Sequence, residues 1–210
     1  MPIREAWHFL RNAIRDYHAT GAILPSSRAL ARAITERIVA GPPARRVLEA
    51  GPGTGPFTRA IARRLGPEDR LDLFEVGEGF VRYLRKMLRT DPHFDATRDR
   101  IRVVHGPVET ATETGVYDHI VCGIPFNNLE TRQVRAIFRT FRRVLKPGGS
   151  VSWFEYIGLR PLRLAVSGAP ERQRVRRVAA HLSWLRRRHG ESTRRVLANA
   201  PPARVHHIRF

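Results

Sequence analysis

Cysteine is nearly absent from this 210-residue chain. The single Cys122 has no partner for an internal disulfide, which excludes a disulfide-stapled scaffold and a cysteine zinc cluster and fits a reducing compartment. Lysine is scarce too. Only Lys86 and Lys146 occur, so the 38 basic residues are almost all arginine, set against 19 acidic ones for a formal charge of +19. No run of about 18 apolar residues is present, and the first residues lack the basic end, apolar middle and small-residue cleavage site of a signal peptide. A membrane-spanning helix is therefore not expected, and any contact with a membrane is expected from one side, the cytoplasmic one.

What the chain has instead is arginine, and an arginine-rich surface attracts polyanions: nucleic acid or an anionic membrane face. Charge alone does not choose between them, and a general arginine bias with no specific partner gives the same total. The length suits one α/β domain with a short helical extension.

Ile3, Ala6, Trp7, Leu10, Ala13, Ile14 and Tyr17 recur at steps of three and four, which predicts an amphipathic helix over 3–17. A second helix begins at Pro25-Ser26-Ser27 with a serine cap, carries Leu30, Ile34 and Ile38 on its apolar side and stops at Gly41-Pro42-Pro43. Residues 1–42 thus read as two leading helices and 43–210 as the main domain. There, strands at 46–49, 71–75, 101–105, 117–122 and 150–157 alternate with helices at 56–65, 79–88 and 131–145. A turn is expected at 146–149 and a loop at 91–100. A helix at 170–189 and a hairpin of strands at 193–198 and 204–209 complete the chain. Repeated strand and helix units predict a doubly wound, mostly parallel sheet with right-handed crossovers.

The first strand runs into Glu49-Ala50-Gly51-Pro52-Gly53-Thr54-Gly55. A glycine turn between strand and helix lets the backbone approach a ligand and points amide N–H groups at it. Glu75, followed by Val76, stands twenty residues past Gly55 at the end of the next strand, where a carboxylate can hold both hydroxyls of a ribose. Dinucleotide enzymes use G-x-G-x-x-G. Here the turn is G-P-G-T-G behind Glu49, whose charge would repel a pyrophosphate and suits the ammonium of a methionine moiety. The combination points to S-adenosylmethionine as cofactor. Gly106, Pro107 and Val108 after the third strand are placed to flank the adenine, and Cys122 and Gly123 after the fourth to lie under the methyl group. Ile124, Pro125, Phe126 and Asn127 continue that turn toward the acceptor. No metal site is expected.

The run Tyr17 to Arg28 ahead of the glycine turn, together with Gly123-Ile124-Pro125-Phe126, resembles the bacterial phospholipid N-methyltransferases that methylate phosphatidylethanolamine. The similarity spans roughly residues 9–160, and Asn199-Ala200-Pro201-Pro202-Ala203 is also family-like. This resemblance implies a class I, Rossmann-like, seven-stranded methyltransferase fold with an antiparallel C-terminal hairpin strand. It implies phosphatidylethanolamine and its methylated derivatives as substrates, and docking on the anionic inner face of the membrane by helix 3–17, with residues 1–42 serving as dock and substrate lid. Arginines of 170–189 either add attraction to anionic lipid or form a solvated face. Nucleic acid is not expected as a partner.

Within the same frame Ser26, Ser27 and Arg28 are candidates for the lipid phosphate, and Tyr17 and Tyr156, with Glu155 behind them, for the proton of the amine. Tyr17, Phe126 and Tyr156 form a possible aromatic box for the methylated cation. Two other readings stay open. Ribosomal-RNA adenine dimethyltransferases share the leading helices and a comparable turn, but their amine-binding asparagine is matched here by Gly123. A binding module without turnover would keep the cofactor fold alone.

Overall fold

The computed structural model describes residues 26–39, 44–159, 161 and 167–210. The expected helix 3–17, and Tyr17 with it, lies outside the described residues. Helix α1 (Arg28–Ile34) leads, followed by β1 (Arg46–Ala50), α2 (Pro56–Ala62), β2 (Arg70–Glu75), α3 (Glu78–Thr90), β3 (Ile101–His105) and β4 (Tyr117–Cys122). Then come α4 (Thr131–Val144), β5 (Leu145–Tyr156), α5 (Ala169–His189), β6 (Gly190–Val196) and β7 (Ala203–Arg209).

All seven strands form one sheet in the order β3-β2-β1-β4-β5-β7-β6. The first five are parallel, and β7 runs antiparallel between β5 and β6. The strand order reverses beside β1, so the carboxyl ends of β1 and β4 flank the crevice where such sheets bind ligands.

Because side chains alternate across a strand, each face of the sheet acquires its own core. On one, Val47, Leu71 and Leu73 pack under Leu30, Ile34, Phe57, Ile61 and Leu84 from α1, α2 and α3. On the other, Leu48, Ile120, Val151 and Trp153 pack under Val134, Phe138, Phe141, Val178 and Leu182 from α4 and α5. Trp153 is fully enclosed, and burying a side chain of this kind contributes on the order of 2–3 kcal/mol.

The amino ends of the strands are held by charge. Asp72, buried under β2, accepts hydrogen bonds from Arg102, Tyr117 and Arg46 at 2.7, 2.6 and 2.9 Å. Burial pushes its carboxyl upward, but these donors outweigh that and hold it below the usual range. Arg45 and Asp69 form a second buried pair, 2.5 Å apart.

Two boundaries differ most from expectation. The second leading helix ends at Ile34 rather than near Gly41, because the Thr35 hydroxyl bonds back to the Ala31 carbonyl at 2.8 Å and the next residues turn. The expected turn at 146–149 is drawn into β5, whose pairing with β4 shifts register between Tyr117 and His119 to absorb it.

Candidate active site

The glycine corner is shaped by three residues in the left-handed region, Gly51, Gly53 and Gly55, at φ 71, 56 and 79°. A Cβ on Gly53 would meet nothing within 4 Å, so the corner opens to a ligand there. A Cβ on Gly55 would lie 2.8 Å from Met87 Cε, which shows how closely α2 seats against α3.

Glu75 reaches this corner from the end of β2. Its Oε2 accepts from Gly53 N–H at 3.0 Å, and its Oε1 accepts from Val76 N–H and Gly77 N–H at 2.8 Å each. Among the described residues no cation is paired with it; the three N–H groups take both acceptor sites of Oε1 and one of Oε2, so Oε2 can accept one ribose hydroxyl directly and a second hydroxyl would replace one of those N–H groups.

Glu49 faces the same side of the sheet and is fully buried. Its Oε2 accepts from the Thr58 hydroxyl at 2.7 Å, while its Oε1 has no hydrogen-bond partner. Burial pushes the carboxyl up to about 8. The Thr58 bond pulls the other way, and the nearby Glu75 charge adds to the rise. An orphaned buried carboxyl oxygen of this kind fits an ammonium, and the open glycine corner with Glu75 fits a nucleoside, so the residues present suit S-adenosylmethionine. Glu109, on the turn Val108–Thr110, adds a third acid: its charge and that of Glu49 both act on Cys122. Three carboxyl groups thus stand at or just past the carboxyl ends of β1, β2 and β3 in a chain of charge +19, which favours a cationic ligand there. Sequence reasoning passed over Glu109 because its position was signalled only by Gly106-Pro107 ahead of it.

The turn after β4 packs tightly on the corner. Gly123 N–H donates to the Ala50 carbonyl at 2.8 Å, and a Cβ on Gly123 would stand 2.5 Å from the Gly51 oxygen. A Cβ on Gly51 would in turn stand 2.9 Å from Ile124 Cγ1. Position 123 thus admits no asparagine in this backbone. Cys122 is buried, and burial pushes its thiol up to about 12, so it carries no thiolate. In the glycine corner Pro52 is buried and Thr54 is exposed. Gly106 N–H donates to the Glu75 carbonyl at 2.8 Å, whereas the Val108 side chain is turned into the core.

Other candidates are brought together less completely. Ser27 caps α1, its hydroxyl accepting from Leu30 N–H at 3.1 Å, and its own N–H donates to Asn199 Oδ1 at 2.8 Å. The family-like tail therefore docks on the start of α1. Ser26 and the exposed Arg28 stand beside it. Pro125 precedes the turn Phe126–Asn128, which carries Asn127.

The aromatic box is not assembled as expected. Phe126 is buried against Phe138 on the α4 side, with ring centroids 5.2 Å apart. Tyr156 lies on the opposite face against Phe154, itself 5.7 Å from Phe57. Nor does Glu155 stand behind Tyr156, because consecutive strand residues point to opposite faces. Glu155 instead accepts from Arg186 at 2.9 Å and contacts His206 at 3.0 Å on the α5 side.

A family model described as a methyltransferase domain matches residues 47–149. An ornithine lipid N-methyltransferase of Singulisphaera acidiphila is 30% identical over 150 residues, covering 70% of this chain and 76% of that protein. Among solved structures, the glycopeptide N-methyltransferase MtfA complexed with sinefungin superposes with a TM-score of 0.65 at 15% identity, covering 88% of this chain and 86% of that one. An O-methyltransferase from Bacillus cereus in complex with SAH superposes with a TM-score of 0.62 at 15% identity, covering 97% and 91%. Those two establish the fold. Among the described residues no group of three or more His, Cys, Asp or Glu is placed to hold a metal ion. The matched domain and the lipid-methylating relative, joined to a glycine corner gripped by Glu75, place the chain in the class I S-adenosylmethionine-dependent methyltransferases.

Proposed function

We propose that this methyltransferase acts on the primary amine of an aminolipid, with phosphatidylethanolamine as substrate and its mono- and dimethyl forms as further acceptors on the way to phosphatidylcholine. The observation that carries this reading is the likeness to a lipid N-methyltransferase across three quarters of that relative. The absence of room for an asparagine at Gly123 weighs against adenine in RNA as acceptor. No helix among the described residues is long and apolar enough to cross a membrane. In this reading the chain meets its lipid as a peripheral protein at the inner face of the cell membrane.

The cofactor, when bound, supplies an electrophilic methyl group on a sulfonium. The chain's own part is positional: Glu75 fixes the nucleoside, Glu49 the amino-acid end, and the packed turn 123–127 sets the side from which the amine approaches in line. Phe57, Phe154 and Tyr156 form an aromatic row from the first turn of α2 to the end of β5, which lines the acceptor side and excludes water. The amine must arrive neutral. Its lone pair forms the new C–N bond as the C–S bond breaks toward sulfur, and its surplus proton leaves to solvent or to Tyr156. Incubating the protein with methyl-labelled cofactor and either phosphatidylethanolamine vesicles or ribosomal RNA separates the readings. Label in lipid supports this one, label in RNA replaces it with an RNA methylase, and label in neither leaves a binding module.

A further inference from the structure

Beside the cofactor corner, α1 and α2 border a groove of about 1100 Å³ that continues to the end of α3. Five arginines line it: Arg28 and Arg32 from α1, Arg59, Arg63 and Arg64 from α2 and just beyond. Its one carboxylate among the described residues, Asp91, is paired with Arg59 at 2.9 Å. Arg64 donates to the Ile38 carbonyl. Arg28, Arg32 and Arg63 are exposed, and among the described residues their guanidinium groups have neither an ion pair nor a hydrogen bond.

The spacing of these arginines is unfavourable for the fold alone. Arg28 and Arg32 are four residues apart on one helix, and like charges at that spacing destabilise a helix. Arg63, the residue that follows α2, faces the same concavity. Phosphate groups lying there would relieve the repulsion along α1 and pair with Arg63, and guanidinium groups suit phosphate oxygens. Tyr83, 45% exposed, stands at the rim, where an amphipathic ring sits well at headgroup level. Thr54 of the glycine corner also lines the groove, so a surface held by the arginines lies next to the cofactor's mouth.

The geometry points to this groove as a docking site for the phosphates of an anionic phospholipid surface, separate from the lipid whose amine is methylated. This rests on the aminolipid reading above for its choice of lipid over other polyanions. It gives the fold's excess of arginine a local use: the groove holds the bilayer while the acidic crevice holds the cationic cofactor.

The test is flotation of the full chain with vesicles of equal parts phosphatidylethanolamine and phosphatidylglycerol. The double variant R32Q/R63Q should bind roughly thirtyfold more weakly, about fivefold for each guanidinium removed from near such a surface. Binding should weaken steeply with added salt. The control R135Q/R139Q, which removes two exposed arginines of α4 on the opposite face of the sheet, should lose no more than a few-fold. Equal losses in the two double variants, unchanged binding in R32Q/R63Q, or equal binding of the unaltered protein to phosphatidylcholine vesicles would each overturn the assignment. So would a loss of RNA affinity in R32Q/R63Q with vesicle binding intact. Methyl transfer to phosphatidylethanolamine in uncharged detergent micelles should be the same in R32Q/R63Q and the unaltered protein. If the unaltered protein transfers nothing there, the acceptor assignment fails, and flotation judges the groove by itself.

Discussion

Raising the pH from about 6 to about 8 should tighten the hold on S-adenosylhomocysteine, and raising it well beyond that should loosen it. Burial lifts the Glu49 carboxyl to about 8, while the ligand's ammonium, next to its own carboxylate, keeps its proton to higher pH than a chain-terminal α-amino group, at about 7.7–8.0. A complex in which that carboxylate meets the ligand's ammonium carries one proton between them. At about pH 6 the separate partners carry two, so binding expels one. Affinity then falls about tenfold, or about 1.4 kcal/mol, for each unit below about pH 7. At about pH 10 the partners carry none, binding takes one up, and affinity declines at a similar rate. The maximum lies above about pH 8, between the two groups.

Titration calorimetry in buffers of differing ionisation enthalpy reads both the affinity and the proton count. Glu49→Gln should remove the acid limb and keep the alkaline one. Affinity and proton exchange that stay flat across the whole range would refute the pairing of Glu49 with the ligand's amino group. The sign for the ligand-free fold follows from the same shift. Glu49 titrates higher folded than unfolded, so its contribution to stability is complete below about pH 4.5 and is lost as the pH rises through about 8. Glu49→Gln should therefore gain stability relative to the parent at alkaline pH.

Glu75→Ala should weaken cofactor binding by about 3–6 kcal/mol, the scale of two hydrogen bonds to a charged group, and should also lower the melting temperature, because Gly53, Val76 and Gly77 N–H lose their acceptor. Unchanged calorimetric affinity would show that the ribose lies elsewhere. Gly123→Ala places a methyl 2.5 Å from the Gly51 oxygen and should cost about 1–3 kcal/mol of stability along with cofactor affinity, read by thermal melting and calorimetry. An unperturbed variant would mean that the turn after β4 does not brace the corner.

Much of this arrangement was legible from residue order because it depends on local chemistry. Apolar runs such as those around Leu71-Asp72-Leu73 and Ile120-Val121-Cys122 mark strands buried on both faces, and the glycine turn with a carboxylate twenty residues on marks their meeting point. The contact between Gly53 and Glu75 follows from parallel pairing of β1 with β2. Features that depend on which way a side chain turns were not legible. Phe126 and Tyr156 look equivalent as aromatics after strands, yet core packing sends them to opposite faces. Glu155 reads as a free acid beside a tyrosine until Arg186, thirty-one residues away, is seen to meet it. The arginine groove needs α1 and α2 side by side, which spacing within either helix does not reveal.

A crystal structure with S-adenosylhomocysteine tests the central claim most directly. The account predicts both ribose hydroxyls within hydrogen-bond reach of the Glu75 carboxylate, the methionine-derived amino group at Glu49 Oε1 and the ligand chain crossing Gly51 to Gly55. Adenosine bound away from the ends of β1 and β2, with Glu75 still holding only its backbone N–H groups, would contradict it.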